Sequence, residues 1–176
     1  MPYKKILIIG DAGVGKTTIV NRLLNGEFNP KYVADNKVTA HIIGDFKITI
    51  FPGQLKYSFD KLIYDNEEHN IQYDRIVIMC DINSMISLDN NREWLKLTCE
   101  LCHQNTRIVL CINKCDEVGE YFTKGWTHNI AQKYSVYYVS AKTNLNIYKI
   151  LGDDDEPVLT CKPMAPPEVL ISDIEL

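Results

Sequence analysis

Short runs of apolar residues recur along the chain and barely alternate with polar ones. They are rich in isoleucine and valine, which is typical of strands that are covered on both faces, as in a parallel sheet. The sequence therefore predicts five buried strands. The runs are residues 5–10, 46–51, 75–81, 107–113 and 136–140.

Between some of these runs, apolar residues recur at helical spacing. Ile19, Leu23 and Leu24 do so after the first run, and Trp94 and Leu97 do so between the third and the fourth. Alternating strands and helices predict a doubly wound α/β sheet. Right-handed crossovers then place the functional loops at the carboxyl ends of the strands.

Two segments break this rhythm. Residues 26–40 have the composition of a long exposed loop, and residues 152–168 carry an acidic run and four prolines. Proline removes a backbone donor and clashes with the preceding turn, so the second segment cannot form a long helix. We expect one folded domain over residues 1–151 and an irregular tail over residues 152–176.

Length and charge narrow the class of protein. A chain of 176 residues fits one domain with a sizeable core. Its net charge of -4 and pI of about 5.6 do not suggest nucleic acid or anionic membrane as a partner. No apolar run reaches the length of a membrane span, and the final residues lack the cysteine of a prenylation motif, so we expect no membrane anchor.

The six cysteines lie mostly in apolar segments and are interpreted as reduced thiols. Residues 99–103, "CELCH", match the spacing of a covalent haem attachment site. They lie in a helical pattern, however, and no export signal precedes them. We interpret these cysteines as small apolar residues on a helix face, in preference to ligands of haem or zinc.

The first apolar run leads directly into a phosphate-binding motif. Gly10, Gly15, Lys16 and Thr17 fit G-x-x-x-x-G-K-[ST] between a strand and a helix. Glycines allow backbone N–H groups to turn around phosphate oxygens, while the lysine supplies charge and the threonine supplies a hydroxyl for Mg²⁺. The residues expected to hold phosphates are Asp11, Ala12, Gly13, Val14, Gly15, Lys16, Thr17 and Thr18.

Two further loops predict which base is bound. The fourth run ends in "NKCD", and its Asp116 can accept two hydrogen bonds from guanine N1–H and the exocyclic amine. Adenine offers no such pair of donors, so an adenine-specific P-loop kinase is disfavoured. The fifth run ends in "SAK", where a backbone N–H can meet guanine O6. The residues expected at the base are Asn113, Lys114, Asp116, Ser140, Ala141 and Lys142.

Taken together, these motifs resemble the Ras superfamily of small GTPases, and two further phrases are similar to its Ran branch, the nuclear transport GTPases. The superfamily resemblance rests on "GDAGVGKTT", "RIVLCINKCD" and "VSAK". The Ran resemblance rests on "GEFNPKYVA" and "MAPPEV".

The resemblance implies a single P-loop (Ras-like) α/β domain with a mostly parallel, six-stranded sheet flanked by helices. It also implies a monomer that binds GTP and GDP with Mg²⁺ and hydrolyses GTP slowly. Nuclear transport receptors and exchange or activating factors are its implied partners, in the nucleus and cytoplasm. Gln54 matches the family glutamine that orients the attacking water, and Gly53 matches a donor to the γ phosphate.

The sequence departs from the family pattern in both switch regions. Asp35 stands where the family has a threonine on Mg²⁺; its carboxylate can ligate the metal but repels phosphates. No aspartate precedes Gly53 and Gln54, whereas the family has D-T-A-G-Q. Two functions therefore remain open: a slow GTPase, and a guanine nucleotide binding module without turnover that competes for transport receptors.

The final helix, the first switch and the end of the third apolar run carry three further predictions. Only residues 146–151 fit the family's long final helix, which makes it about two turns long. Lys31 and Tyr32 match the first switch and are candidates for nucleotide contact. Asp81 is interpreted as part of a structural turn in preference to a magnesium ligand.

Overall fold

The fold is that of a computed structural model, which describes residues 2–34, 36–58, 72–101, 105–117 and 134–152. Six strands and two α-helices lie within these ranges. In chain order they are β1 (Lys4–Gly10), α1 (Lys16–Asn25), β2 (Thr39–Ile43), β3 (Phe46–Ile50), β4 (Arg75–Asp81), α2 (Met85–Leu101), β5 (Arg107–Asn113) and β6 (Ser135–Tyr138). Short 3₁₀ turns cover Gly53–Ser58, Cys115–Glu117 and Ile147–Ile150.

The strands form one sheet in the order β2-β3-β1-β4-β5-β6. All neighbouring strands are parallel except β2 and β3. The predicted α/β class with a mostly parallel, six-stranded sheet is therefore confirmed. Five carboxyl ends of strands, those of β3, β1, β4, β5 and β6, lie side by side at the edge where the functional loops were expected.

The prediction for residues 26–40 was wrong at its end, because Thr39 and Ala40 belong to β2. This strand is at the edge of the sheet and pairs only with β3 among the described strands. Its residues alternate between half-buried and exposed, unlike those of the central strands. An edge strand with one covered face gives this weaker pattern, which contains no continuous apolar run.

Each helix covers one face of the sheet. Ile8 of β1 packs in one apolar cluster with Ile19 of α1, and Ile9 packs in a second cluster with Trp94 of α2. Successive side chains of a strand point to opposite faces, so β1 must be apolar at each position from Ile6 to Ile9 to fill both clusters. This requirement explains the uninterrupted apolar run in the sequence.

The end of the described chain differs from the expected final helix. A 3₁₀ turn at Ile147–Ile150 replaces the predicted two helical turns, and both of its isoleucines are buried against the α1 face. The buried Arg75 donates from Nη1 to the carbonyl of Lys149 at 3.4 Å, which fixes this turn to the start of β4. Residues 153–176, which include most of the predicted tail, lie outside the described residues.

The haem-like motif, weighed above as a haem or zinc site, lies only partly within the described residues. Cys99 lies in α2, whereas Cys102 and His103 of the haem-like motif lie outside the described residues. Within the part that is described, no cluster of three or more His, Cys, Asp or Glu residues is arranged to hold a metal. None of the described helices is long and apolar enough to cross a membrane.

Candidate nucleotide-binding site

The loop between β1 and α1 depends on glycine at its two ends. Gly10 and Gly15 have φ values of 137° and 96°, which side chains rarely adopt. A Cβ atom at Gly10 would lie 2.2 Å from the carbonyl oxygen of Met79, and one at Gly15 would lie 2.3 Å from Nδ2 of Asn113. The close approach of strand β4 to Gly10, and of the Asn113 side chain to Gly15, therefore requires glycine at both positions.

Lys16 places a positive charge at the centre of this loop. It is the first residue of α1 and is only 6% exposed. Its Nζ donates to the carbonyl oxygens of Gly10 at 2.8 Å and Asp11 at 2.7 Å. The ammonium and the positive end of the α1 dipole thus act on the same space, which is the arrangement that attracts phosphate.

Asn113 joins the three loops of the site. This last residue of β5 is buried, and its Nδ2 donates to the carbonyl of Val14 at 2.9 Å. Its Oδ1 accepts a bond from the backbone N–H of Ala141 at 3.3 Å. The side chain therefore holds the phosphate loop and the loop after β6 at a fixed separation.

Asp116 has the surroundings of an ionised carboxylate. Ser140 Oγ donates to its Oδ1, and Lys142 Nζ lies 3.6 Å from its Oδ2. Burial raises the pKa of Asp116, but hydrogen bonds from Ser140 and the backbone, together with the charge of Lys142, outweigh this and lower the pKa below its ordinary value. At neutral pH the group only accepts hydrogen bonds, as recognition of guanine N1–H and its amine requires.

Lys114 is held by a partner that sequence reasoning did not identify. Its Nζ lies 2.5 Å from Oδ2 of Asp81, the last residue of β4, and its backbone has a left-handed φ of 63°. Asp81 also accepts from the backbone N–H groups of Asn83 and Ser84, so it lies in the structural turn that was expected. The pairing of adjacent strand ends brings the two charged groups together.

These loops border a cleft of about 330 Å³, within the range of ligand pockets. It contains most of the residues predicted to bind nucleotide. Those that line it are Ala12, Gly13, Gly15, Lys16, Thr17, Thr18, Gly53, Gln54, Asn113, Lys114, Asp116, Ala141 and Lys142. The predicted residues Asp11, Val14 and Ser140 are not among those that line it.

The cleft also contains residues that were not predicted to belong to it. Phe28 is the most informative of these, because an aromatic ring beside a base-sized cleft can stack on a flat purine. In the sequence, its position just after the end of α1 is the feature that could have identified Phe28 as a cleft residue. Lys31 and Tyr32 line the cleft, as their match to the first switch suggested, together with Asn21, Asn29, Pro30, Val33 and Glu117.

The carboxylate of Asp11 does not face the cleft, although Asp11 was predicted among the phosphate-binding residues. Both of its oxygens accept hydrogen bonds from α2, from Asn90 Nδ2 at 2.7 Å and from Trp94 Nε1 at 2.8 Å. A carboxylate beside phosphates would repel them, so its placement against two neutral donors removes that conflict. The backbone carbonyl of Asp11 remains part of the loop through Lys16.

The segment after β3 packs closely on the phosphate loop. A Cβ atom at Gly53 would lie 2.3 Å from the backbone nitrogen of Ala12, so only glycine fits there without a shift. The next residue, Gln54, is exposed and donates from Nε2 to the hydroxyl of Tyr32 at 3.5 Å. Gln54 and Tyr32 thus bring the two switch segments together at the edge of the cleft.

The donor set for a magnesium ion is small. Thr17 supplies a hydroxyl at the start of α1, whereas Phe51 and Pro52 are buried apolar residues that precede Gly53. The carboxylates among the described lining residues, Asp116 and Glu117, both follow β5, and Asp35 lies outside the described residues. Mg²⁺ needs few protein ligands when phosphates and waters complete its shell, so Thr17 fits such an ion without help from the second switch.

A glycine-rich loop with a buried lysine, between a parallel strand and a helix, defines a P-loop nucleotide-binding protein. Residues 5–154 match the Ras family, and the chain therefore belongs to that family. It is a small GTP-binding protein, as the resemblance of its motifs to the Ras superfamily implied. The narrower resemblance to the Ran branch stays a prediction.

Proposed function

We propose that this protein is a molecular switch of the Ran type that binds GTP and GDP with Mg²⁺ and hydrolyses GTP slowly. The observation that carries the enzymatic part is the position of Gln54, which lines the cleft and contacts Tyr32 of the opposite switch segment. A glutamine at this point can orient water toward a γ phosphate that the loop around Lys16 holds.

The chain's own residues account for binding and positioning. Lys16 exchanges its carbonyl partners for phosphate oxygens, and the backbone N–H groups of the loop add further donors. Thr17 would hold Mg²⁺, which when bound supplies positive charge to the phosphate oxygens. The N–H of Gly53, which lines the cleft, would donate to a γ phosphate. Turnover is slow because no arginine among the described lining residues is available to stabilise the transferred phosphoryl group.

The Ran assignment rests on two phrases of the sequence. Residues 26–34 are Ran-like and include Lys31 and Tyr32, which line the cleft. Residues 164–169 are the second phrase and lie outside the described residues. On this basis we propose a monomer in the nucleus and cytoplasm that engages transport receptors and exchange or activating factors.

One observation favours a second candidate, a guanine nucleotide binding module without turnover that competes for transport receptors. Phe51 and Pro52 are buried where the family has the residues that follow a metal-linked aspartate. Catalysis of phosphoryl transfer depends on positioning, so an altered second switch can retain binding while losing turnover.

A single experiment separates the two candidates. Purified protein is denatured, the released nucleotide is identified, and GTP turnover is then measured with and without Mg²⁺ for the wild type and for Gln54→Leu. The switch predicts bound guanine nucleotide, slow turnover and loss of that turnover in the variant, with binding retained. Equal, background-level turnover in both proteins would support the binding module, and an adenine nucleotide would contradict both.

A further inference from the structure

Trp94 lies between the phosphate loop and the second switch. It is fully buried in the apolar cluster of the α2 face, yet its edge reaches a charged group. Its Nε1 donates to Oδ1 of Asp11 at 2.8 Å, while Asn90 donates to the other oxygen at 2.7 Å. Helix α2 therefore holds the side chain of Asp11 on the side that faces away from the cleft.

The face of the same indole contacts the second switch. Nζ of Lys56 lies 5.3 Å from the ring centroid, within the range of a cation–π interaction. The lysine side chain is only 13% exposed and forms an ion pair with Glu93, one residue before Trp94. Lys56 follows Gln54 by only two residues, across a kink at Leu55 in the 3₁₀ segment, and this short separation limits how far Gln54 can lie from the anchored lysine.

The two contacts of the indole strengthen one another. A hydrogen bond from the indole N–H to a carboxylate increases the electron density of the ring, and this makes its face more attractive to a cation. A cation on that face in turn polarises the N–H and makes it a better donor. By reciprocity, a change that weakens one contact also weakens the other.

We propose that Trp94 is a positioning residue that couples the Gln54-bearing turn to the phosphate loop, through Lys56 on its face and Asp11 at its edge. The assignment of Gln54 to hydrolysis rests on the proposed function, whereas the coupling itself needs only bound nucleotide. When a bound nucleotide rearranges the turn at residues 53–58, this coupling would also shift the backbone of the phosphate loop.

A double-mutant cycle tests the coupling. The dissociation rate of fluorescent GDP is measured for the wild type, Asp11→Asn, Lys56→Met and the double variant. Residues in one network are non-additive, so we expect the double variant to deviate from the product of the single effects by about threefold or more. The same cycle in a Trp94→Phe background should be multiplicative. A multiplicative cycle in the presence of Trp94 would overturn the proposal.

Lys149→Met is a matched control, because Lys149 makes a comparable cation–π contact, 5.1 Å from the ring of Tyr137. It should dissociate GDP at the wild-type rate and combine multiplicatively with Asp11→Asn. Equal coupling for Lys149 and Lys56 would overturn the proposal, because it would show a general loss of stability.

Fluorescence gives a readout that a purely structural role would not change. The chain has two tryptophans, so Trp126→Phe leaves Trp94 as the only tryptophan, whose emission is excited selectively over that of the tyrosines. Its emission should differ between the GDP and GTP-analogue complexes, and Lys56→Met should reduce that difference. Identical emission in both complexes would contradict the proposal. If the coupling is present while wild-type GTP turnover is absent, the hydrolysis proposal fails and the coupling stands.

Discussion

The side-chain amide of Asn113 donates to the carbonyl of Val14 at 2.9 Å, although the two residues are 99 positions apart. This bond joins the carboxyl end of β5 to the phosphate loop beside β1, with β4 between these two strands. The base-binding loops therefore keep a fixed distance from the phosphate loop.

Replacement of Asn113 by alanine should weaken nucleotide binding more than it changes the fold. It removes the bonds to Val14 and Ala141, and an unpaired buried group costs about 1–3 kcal/mol. We expect GDP affinity to fall by about tenfold or more, with faster dissociation. Stopped-flow release of fluorescent GDP measures this, and an unchanged release rate in a folded variant would contradict the joining role of Asn113.

Asp116→Asn should move base preference away from guanine. The amide offers one acceptor and one donor group, so it cannot accept both hydrogen bonds of guanine, and its NH₂ faces a donor. Loss of charge-assisted bonds predicts a decrease in GDP affinity of about 10- to 100-fold. A purine with a carbonyl at the 2-position, such as xanthine, should bind the variant more tightly than it binds the wild type. Competition between GDP and XDP measures the preference, and an unaltered ratio would mean that Asp116 does not read the base.

The pKa of Asp116 predicts a pH dependence. This pKa is depressed in the folded protein. The ionised carboxylate therefore contributes fully to folding stability above its unfolded pKa, and this contribution is lost as pH falls through the folded pKa, where the carboxylate also stops accepting hydrogen bonds from guanine. GDP affinity should therefore be flat near neutrality and fall only in acid. Ser140→Ala removes a bond that lowers the pKa, so the acid loss should begin at higher pH. Affinity titrations from about pH 8 down to about pH 3, below the ordinary pKa of an aspartate, measure this shift.

A double variant provides the control for that titration. In an Asp116→Asn background, position 116 no longer titrates, so Ser140→Ala should leave the acid limb where it is. A shift of equal size in both backgrounds would place the titrating group elsewhere.

The predictable parts of the fold are those that local sequence encodes. β1 must fill both apolar clusters, so its apolar run is visible without a structure. The loop at Gly10–Lys16 and the loops after β5 and β6 were found because glycine, lysine and carboxylate stand directly after strands. Parallel strands bring such ends to one edge, which made the site predictable before its geometry was known.

The parts that were missed depend on packing between distant segments. The bond between Asp11 and Trp94 spans 83 residues and follows from how α2 lies on the sheet, which spacing does not encode. The short turn before Gly152 has a similar cause. Gly152 has φ of 105°, and a Cβ there would lie 2.5 Å from Nη2 of Arg75, so packing against Arg75 constrains the end of residues 146–151, where two turns of helix were predicted.

Magnesium removal should weaken nucleotide binding less than it does in Ras-family proteins that carry D-T-A-G-Q. Thr17 fits the metal, but the second switch presents the buried Phe51 and Pro52 before Gly53 and adds no carboxylate there. Contacts to the metal therefore contribute a smaller part of the free energy of nucleotide binding. A chelator titration with fluorescent GTP measures retention, with a D-T-A-G-Q relative run in parallel. Thr17→Ala should remove most of the remaining dependence on Mg²⁺, and complete release at the same free Mg²⁺ as the relative would contradict the prediction.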